Sequence, residues 1–278
     1  MLVNLNDVLK DAQKNKYGVG LFNTTDTDMV EGVIAAAEEL KSPIVIGTAE
    51  VLLPYGELKL IAPSLIAAAK RATVPVVVHY DHGLTKERCF EAIDLGFSSI
   101  MFDASAASED ENLKLTKEMA DFAHSKGITI EGEIGHVGQA STNDNDLLDM
   151  YTTPAEAVNF IEKTGVDALA VAIGTAHGAY KTKPCLDIER LKQIRAACNT
   201  PLVLHGGSGL SDDDFRNTIA AGIAKVNIFT DLCFAGIDAM QEGLALGEAY
   251  LDIRNRKVSR IKEEVKKKIV LFGSNNRV

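Results

Sequence analysis

The sequence has little of three features that would mark other classes of protein: basic charge, long apolar runs and paired cysteines. It carries 29 Lys and Arg against 39 Asp and Glu, a formal net charge of -10. This balance argues against a nucleic-acid partner, because affinity for a phosphate backbone comes mostly from Lys and Arg. No apolar run reaches the roughly 18–20 residues of a membrane-spanning helix, so we expect no membrane partner.

The four cysteines form no CxxC pair and show no metal-ligand spacing; they are Cys89, Cys185, Cys198 and Cys233. Such a pattern is typical of reduced thiols in a cytosolic protein. The first 18 residues lack a charged leader followed by an apolar stretch, so the sequence predicts no secretory signal. We therefore expect a cytoplasmic protein.

What the sequence does contain is a series of short apolar runs. They are nearly continuous in apolar and β-branched residues, as expected of parallel strands buried on both faces. Eight such runs are predicted as strands: 18–22, 43–46, 74–79, 98–103, 128–134, 168–173, 201–205 and 225–229.

The segments between these runs carry helix signals. Thr153 followed by Pro154 and Glu156, and Ser108 followed by Glu111, predict two capping boxes. Glycines followed by an apolar residue predict helix ends at four places, Gly96, Gly127, Gly165 and Gly222. Helix and strand therefore alternate along the chain.

Eight alternating units without a linker predict one α/β domain, a (β/α)8 TIM barrel over residues 1–278. The length is close to the ~250 residues typical of this fold. An open, doubly wound sheet is the alternative topology. Residues 231–270 predict two further helices after the last strand, of which 257–268 is strongly charged and is interpreted as a solvated face.

Histidines follow three of the predicted strands, with His79 and His82 after the third, His177 after the sixth and His205 after the seventh. A lone histidine at a strand end is more often a hydrogen-bonded core residue than a ligand. Here several would meet, because the functional groups of a barrel gather at the carboxyl ends of its strands. Three imidazoles with an open fourth position describe a catalytic zinc site.

Glycine-rich and polar turns follow the last two predicted strands, at 205–209 and 227–230. Backbone amides that precede a helix form an anion cradle, and barrels commonly bind phosphate at this position. Nearby carboxylates are Asp81, Asp103, Glu131 and Glu133. The last two share one face of a strand, so burial requires a partner such as zinc, a lysine or a polar network.

Five motifs together resemble one family. They are HYDHG at 79–83, EGEIG at 131–135, GTAHG at 174–178, HGGSG at 205–209 and NIFT at 227–230. In order and spacing they are similar to the class II fructose/tagatose-bisphosphate aldolases, over about residues 22–274.

The resemblance implies roles for individual residues. His82, His177 and His205 would bind zinc, Asp103 and Glu133 would provide a second metal position, and Asp81 would be the catalytic acid/base. Dihydroxyacetone phosphate would be held by Gly178, Gly206, Gly207, Ser208, Asn227, Ile228, Phe229 and Thr230. A monovalent cation near the phosphate and a homodimer or homotetramer are further features that the family implies.

The implied function is reversible aldol cleavage of a sugar phosphate, a ketose 1-phosphate or ketose bisphosphate, through a zinc-stabilised enediolate. One departure concerns the general base, because Ser141 occupies the position of the loop glutamate found in many family members. Serine is a poor base without an activating partner. His136 is one candidate base or loop contact, and Asp144 and Asp146 are others.

This departure, with Phe229 in the cradle motif, suggests a substrate other than fructose or tagatose bisphosphate. Three alternative functions remain. A metal-dependent sugar-phosphate epimerase or isomerase could use the same barrel and metal. A non-catalytic aldolase-like partner subunit would be expected to lose the metal histidines. A zinc amidohydrolase would be expected to show HxH on the first strand, where this chain has Phe22-Asn23-Thr24.

Overall fold

The computed structural model describes residues 1–135, 138–139, 151–177 and 184–278, with the backbone alone at 138, 139 and 177. The strands are β1 (Leu2–Val3), β2 (Val19–Asn23), β3 (Ile44–Ala49), β4 (Val76–Gly83), β5 (Ser99–Phe102), β6 (Thr129–Ile134), β7 (Gly138–Gln139), β8 (Ala168–Val171), β9 (Ala176–His177), β10 (Leu202–Leu204) and β11 (Ile223–Ile228). The helices are α1 (Leu5–Asn15), α2 (Thr27–Glu39), α3 (Leu58–Arg71), α4 (Lys86–Leu95), α5 (Glu109–Ser125), α6 (Pro154–Thr164), α7 (Ile188–Ala197), α8 (Asp212–Ala221), α9 (Thr230–Ala245) and α10 (Tyr250–Phe272).

Eight parallel strands close into a barrel in the order β4-β3-β2-β11-β10-β8-β6-β5, and β5 pairs back with β4. The predicted TIM barrel is confirmed, and the alternative open sheet is wrong. All eight predicted runs overlap these strands. Strand β4 extends beyond the predicted run 74–79, because it continues through polar residues to Gly83. The two-residue strands β1, β7 and β9 are too short to give a periodic signal.

The helix ends follow the predicted signals with one exception. Thr153 and Glu156 form a complete capping box at α6. At α5, the Ser108 hydroxyl accepts from the backbone N–H of Glu111, but no return bond from the Glu111 carboxylate forms. The predicted second capping box is therefore only half correct, and the exposed Glu111 side chain is left to water. Each predicted glycine follows a helix with a positive φ, as at Gly165 (φ 75).

One end of the barrel is closed by an apolar layer, which we call the barrel floor. Helix α1 lies across this end because its capping box at Asn4 starts the helix directly after β1. The floor consists of Leu5, Val8, Leu9 and Ala12 of α1 with Tyr17, Val19, Leu21, Val45, Val77, Ala168, Ala170, Val203 and Ala224. The opposite end, where the strands finish, is the open mouth.

Helices α9 and α10 follow the last barrel strand, as predicted, and α10 packs against α2. The charged segment 257–268 is not only solvated, since Lys257 contacts Asp26 at 2.7 Å and Lys266 contacts Glu39 at 2.6 Å. Such exposed pairs contribute little to stability. Within the described ranges, none of the helices combines the length and apolar character of a membrane span.

Candidate metal centre and phosphate cradle

The end of β4 brings two consecutive functional residues to the mouth. In a regular strand, Asp81 and His82 would point to opposite faces. His82 instead has a φ of 44°, a left-handed conformation that is rare for residues other than glycine. The pairing of β4 with β5 shifts register between Tyr80 and Gly83 at the same place. This local irregularity turns the His82 side chain toward the mouth beside Asp81.

The turn that carries His82 is held by Glu50, a residue that the motif analysis missed. Its carboxylate accepts from the backbone N–H groups of Leu84 (2.8 Å) and Thr85 (3.3 Å) and from the Thr85 hydroxyl (3.1 Å). The Tyr80 hydroxyl donates to the same carboxylate at 3.2 Å. Glu50 therefore clamps the chain on both sides of His82.

Imidazoles and carboxylates converge next to this turn. His82 Nδ1 lies 2.8 Å from Asp103 Oδ2, and His205 Nδ1 lies 2.8 Å from Glu133 Oε2. The two imidazole rings are 4.5 Å apart between centroids. Ligand atoms of Asp81, His82 and His205 lie within 4.8 Å of one another, as do those of His82, Asp103 and Glu133. This donor set of nitrogen and carboxylate oxygen fits a zinc ion.

The third predicted ligand, His177, is located only by its backbone. It ends the short strand β9, directly after Ala176. A Cβ built on Gly206 would lie 2.3 Å from the Ala176 carbonyl oxygen, so this segment runs beside the turn after His205. The side chain of His177 and all of Gly178, His136, Ser141, Asp144 and Asp146 lie outside the described residues.

Asp81 is buried in the mouth and is held by two amides. Asn23 Nδ2 donates to Oδ2 at 2.8 Å, and Asn227 Nδ2 donates to Oδ1 at 3.0 Å. Burial alone would raise the pKa of Asp81, but the positive charges of His82 and Lys225 outweigh it and hold the pKa well below its usual range. The carboxylate is therefore ionised and fixed in orientation.

A second buried network lies one layer deeper in the barrel. Glu131 forms an ion pair with Lys225 Nζ and a hydrogen bond with His205 Nε2, both at 2.8 Å. Burial opposes ionisation of Glu131, yet Lys225 and His205 lower its pKa to about 2. Burial lowers the pKa of His79 to about 3, so this neighbour is neutral. The partner that burial of Glu131 required is thus a lysine, which stands out in the sequence as the one charge in an apolar run.

Hydrogen bonds to Glu131 and Glu133 outweigh the burial of His205 and raise its pKa to about 10. To ligate a metal, this imidazole must lose a proton, so metal binding at this site would release one.

The predicted phosphate turns lie side by side at the mouth. Ser208 Oγ accepts from the backbone N–H of Phe229 at 3.3 Å, and α9 begins at Thr230. A Cβ on Gly207 would lie 2.9 Å from the Asn227 carbonyl oxygen, so a side chain would fill the space between the turns. Backbone amides at a helix N-terminus attract anions.

A cavity of about 410 Å³ unites these groups. The predicted residues that line it are Asp81, His82, Asp103, Glu133, Gly206, Gly207, Ser208, Asn227, Ile228, Phe229 and Thr230. It also includes Asn23, Ala49, Val51, Leu52, Leu84 and Ser105, which were not predicted. The cavity therefore joins a candidate metal centre, an anion cradle and an apolar wall.

A parallel barrel with buried imidazoles and carboxylates at its mouth, beside a candidate anion cradle, has the arrangement expected of an enzyme that binds a metal ion and a phosphorylated substrate. The chain belongs to the class II fructose-bisphosphate aldolase family, whose model matches residues 3–277. That family is one of aldolases and is in general zinc-dependent.

Known proteins resemble the chain over its whole length. The Escherichia coli K12 protein YdjI is 41% identical over 278 residues, covering 100% of this chain and 99% of that protein. A Staphylococcus aureus fructose-bisphosphate aldolase is 36% identical over 284 residues, covering 99% of each. The crystal structure of the YdjI aldolase superimposes with a TM-score of 0.90 at 39% identity, covering 100% of this chain and 99% of the other.

Proposed function

We propose that the protein is a zinc-dependent aldolase that cleaves a ketose 1-phosphate or ketose bisphosphate reversibly to dihydroxyacetone phosphate and an aldehyde. The observation that carries this proposal is the shared cavity, in which the donor set around His82 and His205 faces the anion cradle at 206–208 and 227–230.

His82, His177 and His205 are the proposed zinc ligands, with Asp103 and Glu133 as a second metal position. Zinc bound there would supply Lewis-acid polarisation of the substrate carbonyl. Asp103 orients His82 through Nδ1, and Glu131 orients His205 through Nε2. Carboxylates that hold the second imidazole nitrogen are the usual partners of metal-ligating histidines.

Asp81 is the proposed acid/base. Its ionised carboxylate can accept the proton of the substrate hydroxyl as the carbon–carbon bond breaks, and can return it in the condensation direction. The amides of Asn23 and Asn227 hold the carboxylate in one orientation throughout. His136 as the base that removes the proton from dihydroxyacetone phosphate remains a prediction.

We further propose that the preferred substrate is a ketose 1-phosphate rather than a bisphosphate. The cavity wall away from the cradle contains Val51, Leu52 and Leu84. Among the described residues that line the cavity, none is Lys or Arg. A second phosphate would meet no Lys or Arg among these described lining residues, whereas the cradle can hold the first phosphate through backbone amides.

The test is a retro-aldol assay on a panel of ketose 1-phosphates and ketose 1,6-bisphosphates, with release of dihydroxyacetone phosphate as the readout. We expect cleavage that a zinc chelator abolishes and added zinc restores. Asp81→Asn is the matched variant, because it keeps the shape of the side chain while losing its charge. It should bind zinc and lower kcat by about 10²–10⁴-fold.

Three outcomes would contradict these proposals. Cleavage that persists without metal would exclude the zinc mechanism. An isomerised or epimerised product without dihydroxyacetone phosphate would favour the alternative enzyme class. Efficient cleavage of fructose 1,6-bisphosphate alone would overturn the preference for a ketose 1-phosphate.

A further inference from the structure

Lys225 is a fully buried lysine to which the proposed chemistry assigns no role. It lies on β11, inside the barrel, with no exposed surface. A buried ammonium is expensive unless charged and polar partners hold it. Replacing a buried ion pair by apolar residues is often neutral or stabilising, so stability alone is a weak reason for this lysine.

One arm of its contacts leads to the proposed acid/base. Lys225 Nζ donates to Asn227 Oδ1 at 2.8 Å. Because an ammonium has only donors, it fixes the Asn227 amide with its oxygen inward. The NH₂ group of that amide must then face Asp81, where Nδ2 lies 3.0 Å from Oδ1 and 3.2 Å from Oδ2. The ammonium therefore anchors the amide at its oxygen, on the side away from Asp81, while the carboxylate accepts from the NH₂ group on the other side.

The other arm leads to a proposed metal ligand. Lys225 Nζ forms an ion pair with Glu131 Oε2 at 2.8 Å, and Glu131 Oε1 lies 2.8 Å from His205 Nε2. A carboxylate accepts hydrogen bonds, so the Nε2 that faces it carries a proton. Nδ1 of His205 lies 2.8 Å from Glu133 Oε2. Because Glu133 lines the cavity and Glu131 does not, a metal ion could replace the proton between Nδ1 and Glu133, which makes Nδ1 the nitrogen available for ligation.

We propose that Lys225 is a buried positioning residue that fixes the orientation of both the acid/base and a metal ligand. Through Asn227 it orients the carboxylate of Asp81, and through Glu131 it orients the imidazole of His205. This inference rests on the proposed function, since it assumes that Asp81 moves the proton and that His205 binds zinc.

The test compares Lys225→Met with the control Lys268→Met. Lys268 is also buried and contacts Asp231 at 2.6 Å, but it lies on α10, outside the barrel. For Lys225→Met we expect a zinc dissociation constant about 10–100-fold higher, which is the usual effect of losing a group that orients a metal ligand. With zinc saturating, kcat should fall by a similar factor, while KM changes less. Lys268→Met should keep the wild-type values.

A double variant, Lys225→Met with Glu131→Gln, covers the case in which the single variant does not fold. It removes both charges, so no buried charge is left without its partner. Its reference is Glu131→Gln alone, which loses the same group that orients His205. If Lys225 only neutralised Glu131, the double variant would match Glu131→Gln in zinc affinity and kcat. If Lys225 also positions Asn227, kcat at saturating zinc stays below that of Glu131→Gln although the melting temperature recovers.

The outcomes separate this inference from the proposed function. Wild-type zinc affinity and kcat in Lys225→Met, or a double variant with the same zinc affinity and kcat as Glu131→Gln, would overturn the role of Lys225 and leave the aldolase proposal standing. A wild-type protein that binds no zinc would overturn both. If the assay panel lacks the true substrate, the zinc dissociation constants still decide the matter.

Discussion

The two ends of the barrel interior are built on the same strands but differ completely in chemistry. At the floor, the inward residues of β2, β3 and β4 are Leu21, Val45 and Val77. Two to four residues further along, the inward positions are occupied by Asn23, His79 and Asp81. Since side chains alternate along a strand, the same inward face of β2 and β4 changes from apolar to polar within two to four residues.

This contrast separates stability from function along each strand. The floor requires only apolar side chains that fill its space, and α1 provides them. The mouth buries several charged groups that cost free energy unless each has a partner, and Asp81, Glu131 and Lys225 each have one. A barrel can bear this ionic layer because its opposite end is a packed apolar core.

The difference between the two ends is tested most directly by removing a functional group at the mouth. His205→Ala deletes a proposed zinc ligand and should lower kcat/KM by roughly 10³-fold or more. Lewis-acid stabilisation is worth several kcal/mol, and each ~1.4 kcal/mol is a factor of ten. Zinc content by elemental analysis should fall in parallel. Full zinc content with full activity would mean that His205 is not a ligand.

The floor should respond in the opposite way. Leu9 is fully buried in α1, so Leu9→Ala should lower the free energy of unfolding by about 2–5 kcal/mol. Because Leu9 belongs to the floor and does not line the cavity, kcat and zinc affinity per folded molecule should stay at wild-type values. Urea unfolding and active-site titration by zinc measure the two quantities. A floor variant that is stable but catalytically impaired would remove the division between the ends.

The same contrast explains how far the sequence predicts the structure. The floor and the strands are regular, so apolar runs such as 128–134 and 168–173 locate β6 and β8 closely. The mouth is predicted through motif spacing, and the structure brings ligand atoms of Asp81, His82 and His205 within 4.8 Å of one another. The periodicity of the strands does not predict the orientation of the His82 side chain. This orientation depends on the left-handed backbone of His82 itself and on a register shift.

Residues that act through other residues are the least predictable. Glu50 lies in a short turn after β3 and holds a loop that starts 34 positions later. None of the five motifs includes Asn23, although its side chain contacts Asp81 from another strand. Long-range partners of this kind leave no local pattern. Lys225 alone carried a usable signal, a charge inside a run of buried strand residues.

We expect the smallest effect at Glu50, whose carboxylate holds the turn that carries His82. A variant at this position tests how far the functional mouth extends. Glu50→Gln keeps the length of the side chain but replaces charge-assisted hydrogen bonds by neutral ones, which are about half as strong. The turn at Leu84 and Thr85 should loosen, and the strained backbone of His82 should lose part of its support. We expect zinc affinity to weaken by about tenfold, since the loss of groups that orient a ligand typically has an effect of this size or larger. The measurement is chelator competition, with Glu57→Gln, at the N-terminus of α3, as the control. Equal affinities in the two variants would place Glu50 outside the functional mouth and limit the site to the residues that line the cavity.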